Sequence, residues 1–216
     1  DALRAAGVAV GGGRLFLVGG GSRSRAYQQI VGDLTGMPVT VPDDWAPARP
    51  VLARDDVLAA ADRLGDRVRR TPSVVVDSRA FGTPVALKLE LLQHTGSFKA
   101  RGMLNRLLAA DLPAGGRVVA ASGGNAGLAV AYAARELGLT AHIVVPVTAP
   151  PVKVARLRAL GAAVVQEGAV YADAFTVAEG YAFRAGLPLV HAYDQPEVCA
   201  GNGTLGLELV EQVGPV

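Results

Sequence analysis

Arg117-Val118-Val119-Ala120-Ala121-Ser122-Gly123-Gly124-Asn125-Ala126-Gly127-Leu128 is the stretch that decides the architecture of this chain. Arg117 to Ala121 reads as a strand. Small residues then make a turn, and Asn125 to Leu137 reads as a helix stopped by Gly138. The same rhythm continues on both sides. Upstream, Val85 to Glu90 reads as a strand, and Ser97 to Ala110 as a helix with Phe98, Met103, Leu104, Leu107 and Leu108 at roughly helical spacing. Asp55 and Asp56 suit the first turn of an earlier helix. Downstream, strands are expected at Ala141–Val145, Ala163–Gln166 and Pro188–Ala192. Helices are expected at Pro151–Leu160 (stopped by Gly161), Tyr171–Arg184 and Gly203–Gln212. Continuous apolar strands alternating with helices predict an α/β fold, a parallel sheet flanked by helices on both faces.

Composition narrows the function classes. With 216 residues, 50% of them hydrophobic and 19% charged, the chain can bury a substantial core, which excludes disorder for most of its length. A net charge of +2 gives no electrostatic footprint for nucleic acid or an acidic membrane surface. Cys199, the single cysteine, excludes an internal disulfide framework and a cysteine-based zinc site, and suits a reducing, cytoplasmic setting. No secretory signal is visible. The uncharged run between Arg117 and Arg135 contains Ser122, Gly123, Gly124 and Asn125, which argues against a membrane span. No His and carboxylate spacing suits a metal, and none is expected.

Two loops could carry chemistry. In Thr95-Gly96-Ser97-Phe98-Lys99-Ala100-Arg101-Gly102, a lysine stands where a helix begins, although cations favour helix C-termini. Helix field and burial together would lower the amine's pKa and keep more of it neutral, able to condense with an aldehyde and act as a base. The chain has only Lys88, Lys99 and Lys153 to choose among. The second loop, Ser122-Gly123-Gly124-Asn125-Ala126-Gly127, can bring backbone N–H groups to an anion at a helix N-terminus. Taken locally, each has an ordinary reading too: a surface lysine on a first turn, and a strand–helix turn capped by Asn125. Both loops are expected to follow neighbouring strands of one sheet, at whose carboxyl edge ligands bind.

Residues from about 51 to 216 resemble the pyridoxal-phosphate enzymes of the tryptophan-synthase-β type (fold type II), and within them the serine/threonine dehydratases, also called threonine ammonia-lyases. The matching features run in order: Arg70-Thr71-Pro72, Leu87-Lys88-Leu89-Glu90, Gln93-His94-Thr95 leading into the lysine motif, Ser122 to Gly127, His191-Ala192-Tyr193-Asp194-Gln195-Pro196, and Gly201-Asn202-Gly203-Thr204. The resemblance implies pyridoxal 5'-phosphate as cofactor, held covalently by Lys99. It implies Phe98 packed near the cofactor ring and Asn125 at its 3′ oxygen. Ser122, Gly123, Gly124 and Ala126 would cradle the carboxylate of a small amino-acid substrate. The implied activity is β-elimination from L-threonine or L-serine to a 2-oxo acid and ammonia, and a homodimer is implied as well.

This chain departs from the family pattern in several places. Gly123 stands where many relatives carry a second Ser, the opposite-face base of the racemase branch, which argues against racemisation. Ala126 stands where many carry His, and the Gly-Gly-Asn-Ala-Gly version resembles the serine-dehydratase branch. The family's glycine-rich phosphate loop would follow the helix ending near Gln212. The chain begins at Asp1 and stops at Val216, so it reads as a piece incomplete at its C-terminus, expected to hold the cofactor weakly and to turn over little or nothing.

Residues 1–45 break the rhythm. Phe16-Leu17-Val18-Gly19-Gly20-Gly21-Ser22-Arg23-Ser24 and Asp33-Leu34-Thr35-Gly36-Met37-Pro38-Val39 resemble the C-terminal part of FGGY sugar kinases, the xylulose kinases in particular. The Pro-rich stretch at 46–50 is read as a linker, and 51–216 as the partial dehydratase-like domain. A non-catalytic truncated fusion product and a nucleotide-binding sugar-kinase fragment are the alternatives. Gly201, Gly203 and Gly206 fit a dinucleotide fingerprint but read better as a helix-start turn. His142 and His191 are expected in strands as core residues, Cys199 as a small buried residue, and Arg67, Arg69 and Arg70 as a solvated face. His94 is expected either as an acid or base or as a residue that positions its neighbours.

Overall fold

The computed structural model describes residues 52–78, 83–192 and 195–213. Residues 1–45, read above as resembling a sugar kinase, and residues 46–50, read as a linker, lie outside them. The described elements are α1 (Arg54–Leu64), β1 (Ser73–Ser78), β2 (Thr83–Lys88), α2 (Lys99–Ala109), β3 (Arg117–Ala121), α3 (Asn125–Glu136), β4 (Thr140–Val145), α4 (Pro151–Ala159), β5 (Ala163–Gln166), α5 (Tyr171–Ala185), β6 (Leu189–Val190) and α6 (Pro196–Val213).

The parallel sheet has the order β5-β4-β3-β6. Successive side chains of a strand point to opposite faces, so one apolar run can feed two cores. Val118 and Ala120 of β3, with Ile143 and Val145 of β4, join the core beneath α3, built on Ala129, Val130 and Ala133. Val119, Ala121 and Val144 face the other way, against Ala174, Ala178 and Ala182 of α5. The four-residue spacing of those alanines makes a narrow face that seats α5 closely on the strands.

The strand before the lysine motif does not join this sheet. β2 pairs antiparallel with β1, Val74 opposite Leu87 and Val76 opposite Val85, in a separate two-stranded sheet. The β-branched run Val74-Val75-Val76 supplies a partner close by in sequence, and antiparallel pairing needs only a short connection. The expectation that both candidate loops follow neighbouring strands of one sheet is therefore corrected. His191 likewise falls just beyond β6 rather than within it.

The last helix starts at Pro196, not at Gly203. Proline suits a first helical position, and Gly201, Gly203 and Gly206 are inside α6 rather than in a turn at its start. Glycine weakens a helix interior, and here the weakness is exchanged for a close crossing with α2. A Cβ on Gly201 would lie 2.6 Å from the Asn105 Cβ and 2.7 Å from the Arg101 carbonyl oxygen. One on Gly102 would lie 2.6 Å from the Val198 carbonyl oxygen. Gly201→Ala is thus expected to force the two helices apart and to destabilise the fold by about 1–3 kcal/mol, measured by thermal or urea unfolding. Gly123→Ala, whose Cβ would meet the Val145 Cγ1 at an ordinary 3.6 Å, is expected to leave the unfolding transition where it is.

Candidate active site

The strand order places a switch point between β3 and β6. From β3 the chain runs outward to β4 and β5, then returns to add β6 on the other side. Loops leaving the carboxyl ends of such a pair diverge and open a crevice. Ser122-Gly123-Gly124 comes from the end of β3 and His191-Ala192 from the end of β6. The Gly124 N–H donates to the Ser122 Oγ at 3.2 Å, tightening the turn. Gly127 must be glycine, because a Cβ there would collide with the Ser122 carbonyl oxygen. The first intrahelical bond of α3 runs from the Leu128 N–H to the Gly124 carbonyl. The N–H groups of Asn125, Ala126 and Gly127 therefore have no acceptor within the helix and suit an anion. Asn125 is exposed at this end and Ala126 is buried.

Lys99 reaches the crevice from α2 rather than from the sheet. It is the first residue of that helix, and its Nζ donates to the Ala192 carbonyl oxygen at 2.8 Å. The Nζ also lies 5.0 Å from the centre of the Phe98 ring. Burial pushes the amine's pKa down to about 8, with a small opposing effect from Cys199. At that value about half the amine is neutral near pH 8, available as nucleophile or base. Just ahead of it, the hydroxyls of Thr95 and Ser97 are buried without a hydrogen-bond partner among the described residues. Thr95 is also held at φ 63°, a left-handed conformation unusual for a β-branched residue. Two orphaned hydroxyls beside one lysine are features that a ligand's polar groups would satisfy.

The turn before Lys99 is fastened to the glycine loop's helix. His94 stacks on Tyr132 of α3, with ring centres 4.7 Å apart and 17° between planes. Burial, helped by Arg69 and opposed by Glu136, holds the imidazole's pKa below its usual value. Buried Gln93 accepts from the His94 N–H at 3.0 Å and exchanges two bonds with the Arg69 backbone. These contacts hold His94 between the lysine-bearing turn and α3. His142 pairs with Tyr181, 3.5 Å from its hydroxyl, and Cys199 is buried. His191 meets the edge of Phe175. Of the arginine run, Arg70 makes an exposed pair with Glu211, while the Arg69 backbone is part of the site's support. Among the described residues no group of His, Cys, Asp or Glu side chains could hold a metal ion, and no helix is long and apolar enough to cross a membrane.

Behind Lys99 lies a buried charge network that sequence reasoning did not assign. The Arg101 side chain is fully buried. Its Nε and Nη2 donate to the two carboxylate oxygens of Glu90 at 2.9 and 2.8 Å, and its Nη1 and Nη2 to those of Glu208 at 2.7 and 3.0 Å. The Lys88 Nζ donates to Glu208 at 2.6 Å, to Gln212 at 3.0 Å and to the Thr71 carbonyl at 2.6 Å. Burial opposes the charge on Arg101, but hydrogen bonds to Glu90 and Glu208 overcome it and raise its pKa. Burial would also raise the pKa of Glu208, yet Arg101 and Lys88 outweigh it and hold that carboxyl below its usual value. The available signal was Lys88, Glu90 and Arg101 at apolar-rich positions with no surface role. Their partner on α6 could not be read from it.

Two titrations follow. Acylation of Lys99 by an amine reagent, followed by peptide mapping, is expected to rise with half-effect near pH 8. A depressed carboxyl pKa contributes stability that is complete above the unfolded value, here 4.5, and is lost as pH falls through the folded one. The thermal midpoint is therefore expected to drop as pH is lowered below about 4.5, and Glu208→Gln is expected to flatten that slope.

Residues 64–216 match the family described as "Pyridoxal-phosphate dependent enzyme". The chain is 43% identical to an L-threo-3-hydroxyaspartate ammonia-lyase of Pseudomonas sp, covering 74% of this chain and 51% of that protein. It is 38% identical to an L-threonine ammonia-lyase of Thermotoga maritima, over 77% of this chain and 42% of that one. Among solved structures, a threonine deaminase from T.th. superposes with a TM-score of 0.67 at 41% identity, covering 75% of this chain and 52% of that one. A pyridoxal 5'-phosphate-dependent aspartate racemase superposes with a TM-score of 0.70 at 36% identity, covering 77% and 53%. The chain thus spans about half the length of these relatives. The lysine at the start of α2, bonded to the carbonyl that follows β6, and the glycine loop that follows β3 both lie within the matched region, and the chain belongs to the pyridoxal-phosphate dependent enzyme family.

Proposed function

We propose that this chain carries the lysine-bearing half of an ammonia-lyase that eliminates the β-hydroxyl of L-threonine or L-serine as water, after which the unsaturated amine takes up water and releases ammonia, leaving a 2-oxo acid. The observation that carries this reading is the placement of the Lys99 Nζ, 2.8 Å from the Ala192 carbonyl oxygen beside the switch-point crevice. Its relatives' names, L-threonine ammonia-lyase and L-threo-3-hydroxyaspartate ammonia-lyase, describe action on β-hydroxy amino acids and support that substrate class.

The residues present fit pyridoxal phosphate. An amine with pKa about 8 is suited to hold an aldehyde. At Gly127, where the Ser122 carbonyl leaves no room for a Cβ, the turn packs tightly onto the start of α3, whose N–H groups suit an anionic group. The orphaned Thr95 and Ser97 hydroxyls offer polar contacts. When bound, the cofactor supplies an electron sink for the charge left on the substrate's Cα. Lys99 would hold the cofactor's aldehyde carbon, and its Nζ is the base placed to take the substrate's Cα proton. Phe98 would pack against the cofactor's ring and Asn125 would hydrogen-bond its ring oxygen. Ser122, Gly123, Gly124 and Ala126 orient the substrate carboxylate at the N-terminus of α3, where N–H groups and helix dipole favour it.

Some relatives are racemases, and inversion at Cα needs a proton-handling group on the face opposite the lysine. Gly123 offers none, so the proposal is elimination without racemisation. The reading extends to a homodimer in a reducing, cytoplasmic setting, supported by the single buried cysteine, and to the domain division at 46–50.

The test is borohydride reduction of the chain incubated with pyridoxal phosphate, followed by peptide mapping, together with ammonia release from L-threonine and L-serine. A phosphopyridoxyl group on Lys99, lost in Lys99→Ala, is expected. Ammonia release from the chain joined to the C-terminal half of a relative, with no D-serine formed, would establish the activity. A label elsewhere would overturn the assignment, and a correctly labelled but inert joined protein would favour a non-catalytic role.

A further inference from the structure

Lys99 and Arg101 are two positions apart on α2, so their side chains leave the helix about 200° apart. Lys99 faces the crevice, with its Nζ at the Ala192 carbonyl oxygen. Arg101 faces the opposite way and is sealed from water between Glu90 and Glu208. Glu90 opens the turn that leads from β2 into the lysine motif, and Glu208 belongs to α6. α6 also reaches the same turn of α2 a second time, because the Asn202 Oδ1 accepts from the Gly102 N–H at 3.0 Å. Lys88 pairs with Glu208 and balances the second carboxylate, so the network carries two cations and two anions.

A network of this kind is not required for stability alone, because apolar side chains of similar volume often serve as well or better. Apolar packing, however, does not impose direction. A guanidinium forked onto two carboxylates does, since each oxygen must meet a particular N–H. We infer that Arg101 is a positioning residue for Lys99: its bonds to Glu90 and Glu208 fix the rotation and axial setting of the first turn of α2, and so aim the amine into the crevice. This rests on the proposed role of Lys99.

The experiment uses the full chain with pyridoxal phosphate as the probe, trapped with borohydride. The label on Lys99 is quantified against the label on the exposed Lys153 within the same digest. Arg101→Lys retains the charge and loses the fork. It is expected to keep a cooperative thermal transition while the Lys99 to Lys153 labelling ratio falls by about tenfold or more, as misplacement of a reacting group does. Glu208→Asp, which withdraws one carboxylate, is expected to lower the ratio in the same direction by a smaller factor. A folded Arg101→Lys chain labelled at the wild-type ratio overturns the inference. If Arg101→Lys does not fold, Glu208→Asp decides by the same ratio. Loss of folding in both assigns the network to stability and also overturns the inference. Wild type unlabelled at Lys99 is a different failure, since it removes the lysine's assigned role and the inference with it.

Discussion

A guanidinium buried between two carboxylates is the interaction on which the rest of this half-domain depends. Arg101 has no water to turn to, so Glu90 and Glu208 must both stay with it. Removing one partner of such a pair leaves an uncompensated charge in the interior, at a cost of about 3–5 kcal/mol. The chain segment leaving β2, the first turn of α2 and the middle of α6 are thereby tied at one point. The glycine-to-glycine crossing of α2 and α6 serves the same end, because only backbone can approach that closely while the charged groups still meet. Gln93 adds a neutral counterpart, joining the Arg69 backbone to the turn that carries His94.

The tied segment delivers Lys99 to the sheet from outside. Burial disfavours the charge on its ammonium group. The result is an amine with pKa about 8, set against a carbonyl acceptor and an aromatic ring. Across the crevice, the Ser122–Gly124 turn and the first N–H groups of α3 favour an anion. One side of the crevice thus carries an amine with a lowered pKa and the other a helix N-terminus whose N–H groups suit an anion. The His94–Tyr132 stack joins the two sides.

Relatives of this fold include ammonia-lyases and racemases at comparable identity, so the fold does not select between the two reactions. Gly123, in the loop that follows β3, is a position at which this chain carries no side chain. That position has room for a Cβ in ordinary contact with Val145, so packing does not require its glycine.

What was legible in the sequence was local. Alternating apolar strands and helices, with glycine stops after α3 and α4, gave the parallel sheet, most of its elements and the strand–turn–helix at Ser122–Gly127. The lysine motif was legible because a cation at a helix start contradicts the local field. The antiparallel pairing of β2, the full length of α6, the orphaned Thr95 and Ser97 hydroxyls and the Arg101 network were not. Lys88, Glu90 and Arg101 could be seen as charges in an apolar-rich stretch, but Glu208 is 107 residues beyond Arg101. Periodicity and turn chemistry act over a few residues and leave a trace in the sequence itself. Charge pairing and close helix crossing depend on distances that exist only once the chain has folded, so only the tertiary structure decided which acid meets which base.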